Sequence, residues 1–144
     1  MSQLAGKTVI ITGSSRGVGA DAAQILAAQG ANIIVNYRSK APRANKVVKA
    51  IEEAGGHATA VQADVTKSED LTNLVNVAIE TYGSLDYLIL NASGGMETGM
   101  GEDYAMRLNR DAQLNLARLA AEKMPNGGRI VFVTSHQAHF IREV

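Results

Sequence analysis

Aliphatic residues in this chain come in short unbroken runs, and between the runs they return at helical spacing. The runs are Thr8-Val9-Ile10-Ile11, Asn32-Ile33-Ile34-Val35-Asn36, Ala58-Thr59-Ala60-Val61, Tyr87-Leu88-Ile89-Leu90 and Arg129-Ile130-Val131-Phe132-Val133. Runs this short, with no polar alternation, read as strands covered on both faces. Between the first two, Val18, Ala22, Ile25 and Leu26 fall on one helical face, and Gly30 stands where a left-handed helix stop belongs. Val47, Val48, Ile51 and Ala54 mark a second helix, with Pro42 in its first turn and Gly55-Gly56 at its end. Ser68, with Glu69 and Asp70 behind it, reads as the cap of a third helix. That helix carries Leu71, Leu74, Val75, Ala78 and Ile79 and is closed by Gly83. A fourth, from about Glu102 to Met124, carries Leu108, Ala112, Leu116, Leu119 and Ala120. Strict alternation of strand and helix predicts an α/β fold: a parallel sheet covered by helices, each crossover right-handed.

Composition narrows what such a fold could do. The 144 residues suit a single domain, residues 1–144, with no linker, repeat or low-complexity tract. Lys plus Arg number 14, as do Asp plus Glu, so no global field draws in nucleic acid or an anionic membrane. The absence of cysteine excludes disulfides, thiol nucleophiles and thiolate-bound zinc. With no secretion-type leader and no apolar run near the ~20 residues that span a bilayer, the expectation is a cytoplasmic protein.

The candidate chemistry lies at the carboxyl ends of the runs. Thr12-Gly13-Ser14-Ser15-Arg16-Gly17-Val18-Gly19 follows the first strand directly and opens the first helix. Gly13 allows a tight turn, Gly17 lets backbone approach a pyrophosphate, and Gly19 permits close helix–strand packing, while the helix N–H groups face the anion. The spacing differs from Gly-x-Gly-x-x-Gly, and there is no Gly-Lys-Ser/Thr ending, which argues against phosphoryl transfer. At the end of the second strand, Tyr37-Arg38-Ser39-Lys40 stands where an NAD-binding unit places an acid for the ribose 2′-hydroxyl. No acid occurs between Asp21 and Glu52; Arg38, with Arg16 in the cradle, suits a 2′-phosphate instead, whereas Lys46 and Lys49 read as a solvated helix face. His136 and His139 make too thin a ligand set for a metal, and His57 reads as a surface residue. On the residues alone Asp64 could be a helix cap or turn former, Asn91 and Asn109 structural amides, and Ser135 an ordinary loop serine.

Taken in order along the whole chain, these motifs resemble the short-chain dehydrogenase/reductase family, and the pattern looks similar to 3-oxoacyl carrier-protein reductases and related ketoreductases. The resemblance implies a Rossmann-type doubly wound sheet with strand order 3-2-1-4-5. Asp64-Val65 matches the family's adenine-contacting segment. Leu90-Asn91-Ala92-Ser93-Gly94 resembles the family's Asn-Asn-Ala-Gly, with Leu90 and Ser93 departing from it. Asn109 sits where the family orders a proton-relay water, and Ser135 matches its substrate-polarising serine.

The implied activity is hydride transfer between NADP(H), ahead of NAD(H), and a small carbonyl or alcohol substrate, by a homo-oligomer. The family's catalytic Tyr-x-x-x-Lys has no match, since none of Tyr37, Tyr82, Tyr87 or Tyr104 has a lysine four positions on. The expectation is therefore that the C-terminal part of the fold and the acid–base pair lie beyond Val144, leaving Ile130 to Val133 as an exposed edge. A non-catalytic dinucleotide-binding module is the alternative, and a mononucleotide site such as one for FMN is a third reading.

Overall fold

All five aliphatic runs join one sheet, as runs without polar alternation predict. In the computed structural model, which describes residues 4–14, 17–39, 41–64, 67–91, 102–124 and 128–133, the strands are β1 (Thr8–Ile11), β2 (Asn32–Tyr37), β3 (His57–Gln62), β4 (Tyr87–Asn91) and β5 (Arg129–Val133). Every pairing is parallel and the order is β3-β2-β1-β4-β5, the Rossmann-like order expected. Val9 is in register with Ile33 on one side and Tyr87 on the other. Each connection between consecutive strands carries a helix: α1 (Gly17–Ala28), α2 (Ala41–Glu53), α3 (Ser68–Tyr82) and α4 (Glu102–Glu122).

The strand period of two sorts the core into two layers. Val9, Ile11, Ile33 and Val35 pack with Ala23, Ala27, Ala44, Val47 and Ile51 of α1 and α2. Ile10, Ile34, Leu88 and Leu90 pack with Leu71, Leu74, Val75, Leu116 and Ala120 of α3 and α4. The helices therefore cover opposite faces, and the parallel strands end along one carboxyl edge of the sheet. At the far side of the sheet β5 pairs, among the described residues, with β4 alone, and Val131 is 44% exposed. Among the described residues no helix is long and apolar enough to cross a membrane.

Two local expectations are corrected. Ile25 does not face the sheet: it is 64% exposed, and Ala20, Ala23 and Ala27 form the buried side of α1 instead. A helix seated this closely on the strands has room for methyl groups there and not for a branched chain. Ser68 does not cap α3 either; Lys67 occupies that position without a side-chain cap bond, and Ser68 is already helical. Asp70 instead accepts the backbone N–H of Asp64 at 2.8 Å. As expected, Gly30 stops α1 in a left-handed conformation (φ 97°); its N–H bonds Ala27 O and the Ala31 N–H bonds Leu26 O.

Candidate functional site

The carboxyl edge of the sheet carries those residues singled out in the sequence that the structure describes. β1 lies at the centre, where the chain order reverses between β2 and β4, the position at which open α/β sheets take ligands. Gly13 leaves β1 with φ 62°, a left-handed conformation natural to glycine. Both of its polar groups are held by carboxamides from the flanking strands. Asn36 Oδ1 of β2 accepts the Gly13 N–H at 3.0 Å, and Asn91 Nδ2 of β4 donates to the Gly13 carbonyl at 3.3 Å.

Ser14 is fully buried and turned into the fold. Its hydroxyl donates to Ile11 O at 2.7 Å and accepts the Asn36 N–H at 3.0 Å, while its own N–H donates to Asn36 O at 3.2 Å. What Ser14 gives the cradle is shape. Thr12 ties the other flank: its N–H donates to Ile89 O, and its hydroxyl accepts the Asn91 N–H at 2.9 Å. Gly19, in the first turn of α1, comes so near that a Cβ there would lie 2.6 Å from Gly13 O, 2.7 Å from Asn91 Nδ2 and 2.9 Å from Ser14 Cα. No acid occupies the first turn of α1, which suits that helix end to an anion.

Next to the cradle, Tyr37 is half-buried and Arg38 and Ser39 are exposed at the end of β2. The Arg38 carbonyl accepts a hydrogen bond from Gln62 Nε2 at 3.2 Å, and the Ala63 N–H donates to Tyr37 O at 2.9 Å, so the ends of β2 and β3 are laced together. Asp64 follows, half-buried, with its N–H on Asp70 Oδ2 and its carbonyl accepting the Lys67 N–H. Thus Gly13, Ser14, Gly19, Arg38, Ser39, Asp64 and Asn91 come together on one edge. Ser15, Arg16, Val65, Ala92, Ser93 and Ser135 lie outside the described residues, as do the side chains of Val18 and Asn109, although Gly17, Val18 and Asn109 fall within helices.

Sequence reasoning gave no role in the site to Asn36 or Gln62, and none to the Thr12 and Asp70 side chains beyond their place in the cradle motif and at the start of the third helix. Asn36 had a signal: it is a polar residue at the end of an aliphatic strand run, at a position the strand period places on the same buried face as Ile34. Within the cluster, Asn91 Oδ1 is buried and has no hydrogen-bond partner among the described residues. A buried acceptor in that state calls for a donor. Among the described residues no group of three His, Asp or Glu side chains could hold a metal.

The family model of the short chain dehydrogenases matches residues 7–143. A hydroxynaphthalene reductase-like protein of Metarhizium majus is 37% identical over 142 residues, covering 94% of this chain and 53% of that protein. The 3beta-hydroxysteroid dehydrogenase 1 of Eggerthella lenta is 47% identical over 100 residues, 69% of this chain and 38% of its own length. Among solved structures, a short chain dehydrogenase from Burkholderia cenocepacia in complex with NADP superposes with a TM-score of 0.84 at 34% identity, covering 99% of this chain and 60% of that one. A 7 alpha-hydroxysteroid dehydrogenase complexed with NADH superposes with a TM-score of 0.82 at 33% identity, over 98% and 57%. The chain spans about half the length of the curated relatives it matches.

Proposed function

The chain belongs to the short-chain dehydrogenase family, and on that footing we propose that it supplies the coenzyme-binding part of an oxidoreductase that moves a hydride between NADP(H) and a carbonyl or alcohol carbon. The observation that carries the coenzyme choice is Arg38 at the carboxyl end of β2, exposed, where an acid would be needed to select the 2′-hydroxyl of NAD(H). Relatives of this chain are bound to either coenzyme, so the preference rests on this residue. The edge fits a dinucleotide: the Gly13 turn and the acid-free first turn of α1 suit a pyrophosphate, and Asn91 Oδ1, without a partner among the described residues, can accept a donor.

When bound, the coenzyme supplies the redox chemistry. The chain's own residues orient it: Gly13 and Gly19 shape the cradle, Arg38 neutralises the 2′-phosphate, and Asp64 borders the adenine. By the family resemblance Ser135 hydrogen-bonds the substrate oxygen and Asn109 orders a relay water. The proton for that oxygen is assigned to a tyrosine made more acidic by a lysine, a pair not found among these residues. The names of the relatives support ring ketones and their alcohols as the first substrates to try.

Supplying the intact polypeptide from its natural source with NADPH deuterated at C4 and a panel of ring ketones tests this reaction. The expected result is NADPH consumption that depends on a ketone, with deuterium on the carbinol carbon of the product. Coenzyme binding with no ketone reduced would leave a dinucleotide-binding module.

A further inference from the structure

Asn36 is 3% exposed, belongs to a strand otherwise filled by Ile33, Ile34 and Val35, and has no part in the coenzyme contacts above. A residue needed there only for packing would be aliphatic. All its polar groups are engaged instead. Its N–H and carbonyl clasp Ser14, its Oδ1 accepts the Gly13 N–H at 3.0 Å, and its Nδ2 donates to Ala63 O at 3.2 Å, with Val61 O at 3.5 Å. The loop side needs an acceptor and the β3 side a donor, and a carboxamide offers both from one rigid plane. An aspartate would turn an oxygen toward the Ala63 and Val61 carbonyls. An aliphatic residue would leave the Gly13 N–H and the Ala63 carbonyl without this partner.

We propose that Asn36 is a positioning residue that sets the phosphate cradle at a fixed distance from the adenine-side wall, by joining the Gly13 turn to the end of β3 from which Asp64 follows. This inference rests on the NADP(H) reading of the site. A brace of this kind favours ligands that span both halves, because it lowers the cost of ordering one half against the other, and does little for a ligand confined to one.

Three probes separate the cases: NADPH, adenosine 2′,5′-bisphosphate, and adenosine 2′-monophosphate, which lacks the phosphate that would reach the cradle. Titrated into Asn36→Ala, the first two are expected to bind about ten-fold more weakly or worse than to the unaltered chain, and the third within about two-fold. Asn36→Ser, which keeps a short polar group, should show the same ordering with smaller losses if the alanine variant folds poorly. In the absence of ligand, the Gly13 amide should exchange its hydrogen faster in Asn36→Ala, while the Ser14 amide, bonded to the backbone of residue 36, keeps its protection. Equal losses for all three probes, or none, would overturn the coupling. Failure of the unaltered chain to bind any of the three would overturn the coenzyme reading itself.

Discussion

Gly19→Ala is expected to lower both the stability of the protein and its affinity for the coenzyme. In an exposed helix the change would stabilise by about 1 kcal/mol, the helix-propensity difference between the two residues. Here the sign reverses. The added methyl would lie 2.6 Å from Gly13 O and 2.9 Å from Ser14 Cα, which are backbone atoms, and 2.7 Å from an amide nitrogen already donating to Gly13 O. None of these can retreat cheaply, because Gly13 and Ser14 are pinned by Asn36 and Asn91. Overpacking of this kind costs about 1–3 kcal/mol, and more where backbone must shift.

The start of α1 would move off the cradle, and the net destabilisation should lower Tm by a few degrees, at roughly 2–4 °C per kcal/mol. Losing even one well-aimed backbone hydrogen bond to a phosphate, worth about 1.5–3 kcal/mol, weakens coenzyme binding roughly ten-fold or more. Calorimetric melting together with titration checks both effects; an unchanged Tm and an unchanged Kd would mean that helix and cradle are not packed as described.

Arg38→Asp carries the second large effect, and it is selective. Arg38 is exposed at the end of β2, and its backbone carbonyl accepts from Gln62 Nε2, a bond between β2 and β3 that the substitution leaves in place. A charge-assisted bond from a guanidinium to a phosphate is worth about 1.5–3 kcal/mol, reduced by screening at an exposed site. Reversing the charge adds repulsion of the 2′-phosphate. NADPH affinity should therefore fall roughly ten- to a hundred-fold, whereas NADH, offered a carboxylate for its ribose 2′-hydroxyl, should bind as well as before or better. The loss of NADPH affinity should shrink as salt is raised. Equal losses for the two coenzymes would remove Arg38 from the site.

The sheet was legible because strands covered on both faces leave an unbroken aliphatic record, as in Thr8–Ile11, and because the alternation with helices permits few topologies. What escaped depends on the distance between elements, which no linear pattern encodes. α1 lies so close to the sheet that alanines face it and Ile25 turns outward. Ser68 looked like a cap, yet the acid two residues on reaches back to Asp64, a partner fixed only by how the end of β3 enters α3. The glycines of the cradle were legible by spacing and by their place between strand and helix. The carboxamides that hold them were harder to read: Asn91 was found through a resemblance, and Asn36 shows its use only once β1, β2 and β3 lie side by side. Ser135 and Asn109, which rest on the same resemblance, have side chains outside the described residues.

The central claim, that this edge is built for a 2′-phosphorylated dinucleotide, is tested most directly by titrating the unaltered protein with NADPH and with NADH at the same ionic strength. NADPH should bind at least about ten-fold more tightly, as one charge-assisted contact to the additional phosphate requires. Equal affinity, or a preference for NADH, would contradict the account.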